Sequence, residues 1–225
     1  MKKLFFVLLA MIFVSASQAQ KPIKNKYVEI ETTMGTIVVE VYADVTQHAE
    51  NFLKLASEGY YDSVLFHRVI PNFMIQGGDP DSKHAEPNKM LGNGDIGYRV
   101  PKEFMVPKYF HRKGALAAAR DNNPDQASSG CQFYIVVGKT VSDADIDNLE
   151  KNLNVTFSKE DRALYKAQGG TPHLDGAYTV FGQVVQGQDV VDAISLVARN
   201  AANRPNEDIR ILSTKVKKKF KKKKP

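Results

Sequence analysis

Residues 65–80 read LFHRVIPNFMIQGGDP, which sets a guanidinium among apolar side chains. His67 and Arg68 adjoin Val69, Ile70, Phe73, Met74 and Ile75, and Gln76, two glycines and Asp79 close the run. A core strand would exclude the arginine, because an unpaired buried charge is costly. A surface loop would not carry so many large apolar residues. The combination suits a reaction that needs one strong donor and a greasy grip, with no nucleophile, metal or cofactor. Rotation about an X–Pro amide is such a reaction. Resonance opposes it with a barrier near ~18–20 kcal/mol, and unaided it takes roughly tens to hundreds of seconds. Turnover of about 10–10³ s⁻¹ asks for roughly 10³–10⁵ in rate, or about 4–7 kcal/mol. As the bond twists, the proline nitrogen pyramidalises and gains a lone pair that a guanidinium can hydrogen-bond. The donor therefore favours the transition state over either planar isomer.

Other chemistries fit less well. Gly92-Asn93-Gly94-Asp95-Ile96-Gly97 matches G-x-G-x-x-G, but a dinucleotide fingerprint needs a strand before it and a helix after it. Here a Lys- and Pro-bearing loop precedes, and Tyr98-Arg99-Val100-Pro101 follows. His48, His67, His84, His111 and His173 are scattered, and no pair has metal-site spacing. Ser128-Ser129-Gly130 precedes a strand rather than a strand-to-helix turn, so a hydrolase using it with His67 and Asp79 is a distant reading. Asn154-Val155-Thr156 is a glycosylation sequon, with meaning only in a glycosylating host. No cofactor or metal is called for.

The elements that must position Arg68 are mostly strands. Residues 27–42 alternate as a hairpin turning at Met34-Gly35, and further runs span 64–70, 73–76, 115–119, 132–137, 178–185 and 209–216. One helix follows Asp44 as its cap, faces inward through Val45, Ala49, Phe52, Leu53 and Ala56, and stops at Gly59. A second covers roughly 188–198, with Val190, Val191, Ile194 and Val197 inward. Many short strands and few helices predict a mainly β barrel or sandwich, without a parallel βαβ sheet or internal repeat. Residues 141–170 stand apart as a helical insertion. Ser142 with Asp145 leads into Ile146, Leu149 and Leu153, and Ser158 with Asp161 into Leu164 and Tyr165.

Residues 1–19 pair Lys2 and Lys3 with a short apolar run and end Ser17-Gln18-Ala19, which predicts a cleaved export leader. About 206 residues remain, enough for one domain. The single cysteine, Cys131, has no intrachain partner and is expected as a small buried apolar residue. The net charge of +6 misleads, since two lysines lie in the leader and eight between Lys215 and Lys224; without them the body is −4. The tail over 217–225 is expected to be solvated, with weak attraction to anionic surfaces as its functional alternative. No nucleic-acid partner is expected, and nothing suggests more than a monomer.

The stretch FHRVIPNFMIQGGD resembles the signature of the cyclophilin family of peptidyl-prolyl isomerases. KGALAAAR, SSGCQFYIVVGKT and PHLDGAYTVFGQVVQGQDVVDAI resemble later family strands in order and spacing. The resemblance implies a closed eight-stranded antiparallel barrel capped by two helices, over residues 20–216, and no cofactor. It implies Arg68 as the catalytic guanidinium, with Gln76 holding Arg68 or a substrate carbonyl. Phe73, Met74, Tyr134 and Leu174 would line the proline pocket, Ala119 and Gln132 would border the groove, and the backbone at Arg120 would pair with an extended peptide. His67 is read as structural, and Gly77 and Gly78 as serving a tight backbone conformation. Three positions depart from the common pattern: Arg120 replaces an Asn, His173 an aromatic, often Trp, and Tyr178 a His of eukaryotic members. They border the substrate groove and imply weak cyclosporin binding. The expected protein is an exported, periplasmic isomerase acting on proline-containing segments of folding envelope proteins. Its rival is a non-catalytic peptide-binding chaperone module on the same fold. The insert, entering before His173, is expected at the groove's rim.

Overall fold

The computed structural model describes residues 24–87, 89–153 and 156–220; the segment read as an export leader, Asn154 and Val155 of the sequon, and the last five residues lie outside them. Alternating apolar residues build the expected hairpin, β1 (Lys26–Thr32) against β2 (Gly35–Val41), with Ile30 opposite Ile37. Val28, Ile30, Ile37, Val39 and Val41 all point into the core, as a period of two requires. Further strands are β3 (Phe66–Ile70), β4 (Met74–Gly77), β5 (Arg99–Val100), β6 (Ala115–Ala118), β7 (Ser128–Ser129), β8 (Phe133–Val136), β9 (Val180–Gln186) and β10 (Ile211–Lys217). Eight of them form one antiparallel sheet in the order β10-β1-β2-β9-β6-β8-β4-β3, and β5 pairs β7 alone. β10 runs one residue into the segment read as tail: Lys217 binds the Glu29 carboxylate, and Phe220 packs on Tyr27.

The sheet curls into a half-barrel and does not close as a ladder. Its edges, β3 and β10, are joined by hydrogen bonds around one bridge, Leu65–Arg210. Ser63 N–H reaches Ile211 O at 2.8 Å, and Phe66 N–H reaches Ile209 O at 2.9 Å. Beyond that point the loop carrying Asn203 takes the place of a strand, accepting the Val69 N–H at 2.9 Å. That loop occupies the edge a closing strand would need.

Four α-helices are present among the described residues, the two expected caps and the two expected in the insertion. α1 (Thr46–Ser57) buries Ala49, Phe52, Leu55 and Ala56, and Leu53 packs half-buried against the same core. Asp44 is not its cap. Val45 holds that position without a side-chain bond, and Asp44 instead engages Lys108 and Tyr109. The first free amides go to a distant carboxylate: Glu103 accepts from Gln47 N–H at 3.1 Å and His48 N–H at 2.9 Å. α4 (Gln188–Ser195) is shorter than expected and buries Val191 and Ile194. α2 (Asp143–Leu153) and α3 (Lys159–Gln168) form the insert, each begun by a reciprocal Ser–Asp cap, Ser142–Asp145 and Ser158–Asp161. They enclose a small separate core of Val141, Ile146, Phe157 and Tyr165, and a Lys139–Gly170 bridge closes its base. The main core centres on edge-to-face rings, with Phe52 and Tyr61 both against Phe133.

Replacing Glu103 with alanine should cost about 1–3 kcal/mol, because two helix amides and His48 lose their acceptor. Asp44→Ala should cost less, since its contacts are exposed. Urea unfolding of both variants measures the order.

Candidate active site

Sheet register assembles the site. On β3 and β4, Arg68 lies opposite Gln76, and on β4 and β8 Gln76 lies opposite Tyr134. Directly opposed residues share a face, so three strands deliver a guanidinium, an amide and a phenol side by side. Arg68 Nη1 donates to Gln76 Oε1 at 3.2 Å, and Gln76 Nε2 donates to Gln132 Oε1 at 3.0 Å. Gln132 Nε2 then donates to the carbonyls of Gly92 and Gly94, each at 2.9 Å. The glycine loop that mimics a nucleotide fingerprint is thus the anchor of the arginine's support. Asp79, fully buried, receives the Gly92 N–H at 2.5 Å and the Asp81 N–H at 2.8 Å. A Cβ on Gly94 would stand 1.9 Å from Asp79 Oδ1, so only glycine lets the loop approach. Gly78 has φ +100°, and a Cβ there would meet Cys131 O at 2.2 Å. Cys131 is buried, as expected.

A cavity of about 100 Å³ opens beside this chain, walled by Phe73, Met74, Tyr134, Leu174 and Tyr178, with Arg68 at its edge. Gln76, Ala119 and Arg120 complete the lining. The Arg68 guanidinium carbon lies 6.0 Å from the Phe73 ring centre, and partial burial lowers its pKa from the ordinary value. Arg120 covers the Tyr178 ring at 4.6 Å and donates Nε–H to Ala177 O at 3.0 Å. Gln132 and His173 stand just outside: Gln132 behind Gln76, His173 stacked on Phe73 with ring centres 5.8 Å apart. Burial pushes the His173 pKa down.

The family model for cyclophilin type peptidyl-prolyl cis-trans isomerases matches residues 27–216. The chain belongs to this family. A putative peptidyl-prolyl cis-trans isomerase of Staphylococcus haemolyticus is 32% identical over 202 residues, covering 88% of this chain and 96% of that protein. A putative bifunctional phosphatase/peptidyl-prolyl cis-trans isomerase of Streptococcus pyogenes is 38% identical over 192 residues, covering 84% of this chain but only 38% of that protein's length. A crystal structure of a Cryptosporidium parvum cyclophilin shares the fold, with TM-score 0.63, 23% identity, and coverage of 85% of this chain and 97% of that one. A second structure of that protein, obtained in the presence of the dipeptide Ala-Pro, has TM-score 0.59 over 84% and 96% at the same identity.

Two features of this cyclophilin escaped sequence reasoning. The first is a buried polar chain from the pocket to the insert. Tyr134 Oη lies 2.9 Å from His111 Nε2, and His111 Nδ1 lies 2.7 Å from Asp175 Oδ1. Asp175 also accepts the Tyr165 hydroxyl at 2.5 Å and the His111 backbone N–H at 2.8 Å. With the carboxylate on Nδ1–H, Nε2 is left to accept from Tyr134, an assignment made from the network. A pocket wall and the insert's core tyrosine therefore share one set of bonds. The second is a serine–histidine–carboxylate line, though not the trio considered above: Ser128 Oγ is 3.0 Å from His48 Nε2, and His48 Nδ1 is 2.6 Å from Glu103. Ser128 is 1% exposed and the void beside His48 is only about 10 Å³, which leaves no room for an acyl group. This line ties α1 to β7.

His67 is buried, and among the described residues its ring nitrogens have no hydrogen-bond partner. Burial lowers its pKa from 6.5 to about 4, against the pull of Asp79. The folded protein thus resists protonating it, while the unfolded chain does not. Stability is whole above pH 6.5 and falls as pH drops towards 4. Urea unfolding across that window should show His67→Leu losing less than the parent, by about 2–3 kcal/mol.

Proposed function

We propose that this cyclophilin-type isomerase accelerates rotation about X–Pro bonds in segments of proteins folding outside the cytoplasm, with Arg68 as the catalytic group. The carrying observation is the Arg68–Gln76 contact at the mouth of an apolar cavity sized for a small ring. Phe73, Met74, Leu174 and Tyr134 would grip the proline ring. Arg68 would then meet the nitrogen lone pair that appears only in the twisted amide. Gln76 binds one guanidinium nitrogen through a neutral oxygen, so it orients the donor without cancelling its charge. Low local polarity strengthens the new bond as it forms. Ala119 and Arg120 run along the cavity's border, where an extended chain would lie. The related structure obtained with Ala-Pro supports a proline-containing ligand.

Action outside the cytoplasm, in the periplasm, rests on the Lys2-Lys3 and apolar pattern of the leader. Envelope proteins would then be the clients. A binding-only chaperone module on this fold would have little use for Arg68 in that place. The insert lies beside His173 and Asn72 at a cavity of about 330 Å³, a position suited to extending the groove for unfolded chains. With His173 stacked on Phe73, cyclosporin should bind weakly, and tight inhibition in a titration would count against that.

Arg68→Ala should lower kcat/KM on a proline tetrapeptide by about 10²–10³-fold, with circular dichroism and melting unchanged. A folded variant as fast as its parent would remove Arg68 from the mechanism. Peptide binding by the parent without any turnover would favour the binding-only module.

A further inference from the structure

A second depression adjoins the proline cavity across Arg68, Gln76 and Arg120, with a volume of about 280 Å³. Its charge is one-sided. Arg68, Lys89, Arg120 and Arg204 reach it, and among the described residues no Asp or Glu lines it. Arg204 is already satisfied: it is 5% exposed, paired with Asp208 at 3.1 Å, and bonded to the carbonyls of Glu86 and Lys89. Lys89 has only a loose contact, 3.9 Å to Asp81. Arg68 and Arg120 meet no carboxylate among the described residues; their partners are the Gln76 amide and the Ala177 and Asp121 carbonyls. Two guanidiniums and an ammonium thus face open space with charge to spare, on a body that is acidic overall. His67 lies in the wall with both ring nitrogens unpartnered, and exposed Met90 offers an apolar surface for a side-chain stem.

The depression on the other side of Gln76 contrasts with this. Asp95 and Asp121 line it, and its Arg99 is held bidentately by Asp121 at 2.9 and 2.7 Å. Arg120 borders this depression too, but Asp95 and Asp121 face it and Arg99 is already paired, so an acidic group would gain little.

We propose that the groove flanking the proline cavity binds, through Lys89 and Arg120, an acidic side chain next to the isomerised proline, making this enzyme selective for Asp- or Glu-flanked prolines. The proposal rests on the proline reading of the cavity and adds the neighbouring residue. A flanking carboxylate would take charge-assisted hydrogen bonds from the Lys89 ammonium and from the Arg120 N–H groups that the backbone leaves free, without drawing on Arg68. Opposite charge would also raise capture, in a salt-dependent way.

The test uses the whole protein and peptides blocked at both ends, so that no terminal carboxylate contributes. Glu or Gln is placed one or two residues before or after a single proline, and cis–trans exchange is followed by NMR without a coupling protease. One Glu peptide should exceed its Gln twin by about three- to tenfold in kcat/KM at low salt. The ratio should approach one at about 0.5 M salt and shrink in Lys89→Gln and in Arg120→Gln. Glu and Gln turned over equally at every position, with neutral peptides exchanging normally, would overturn the inference and leave the isomerase reading intact. Should no peptide be turned over, the isomerase reading fails; NMR titrations of the same peptides then judge the groove, and equal affinities for Glu and Gln overturn it.

Discussion

A guanidinium must stand at the rim of an apolar pocket, held still yet not neutralised. A carboxylate partner would fix Arg68 firmly but would spend the charge on which its usefulness as a donor depends. An amide oxygen orients it and leaves other N–H groups free. That choice passes the problem along, because Gln76 must itself be oriented, and Gln132 does so. Gln132 is aimed by two glycine carbonyls, and their loop is fastened by buried Asp79. The relay ends on backbone, the least mobile acceptor available. Much of the loop between β4 and β6 is therefore part of the arginine's mounting.

The pocket's other wall is supported from a different direction. Tyr134 belongs to β8 and to the main core, yet its hydroxyl is committed to His111 and Asp175, and through them to Tyr165 of the insert. Buried polar groups that are fully paired specify one arrangement, because any other leaves a donor or acceptor stranded. The insert is consequently more than an exposed appendage: its small core and the cavity beside Arg68 meet through one carboxylate. Asp175 stands in the short segment between the insert and β9, beside His173 and Leu174 of the pocket rim.

Geometry without access does no chemistry. Ser128, His48 and Glu103 reproduce the hydrogen-bond line of a hydrolase, but the serine and the histidine are buried. Arg68 has one modest hydrogen bond and is half-exposed, yet it faces a cavity. Charge follows the same logic: the overall balance says little, while two guanidiniums without a carboxylate give the groove its local character.

The resemblance of the collinear blocks around FHRVIPNFMIQGGD named the residues at the cavity, while the alternation of residues 27–42 and of the runs like it, with the Ser–Asp spacing of the insert, determined by themselves the eight strands of the main sheet and the two capped helices. These are local signals, since side-chain period and cap chemistry act over a few residues. Asp44 does not cap α1 because the real acceptor, Glu103, lies 55 residues beyond His48. Closure was misread because the Asn203 loop, which carries no strand pattern, takes the β3 edge. The Gly92 loop's service to Gln132, the Tyr134–His111–Asp175–Tyr165 chain and the one-sided charge beside Arg68 were decided by tertiary structure alone. Each joins residues far apart in the chain, and only packing determines which distant polar groups must satisfy one another.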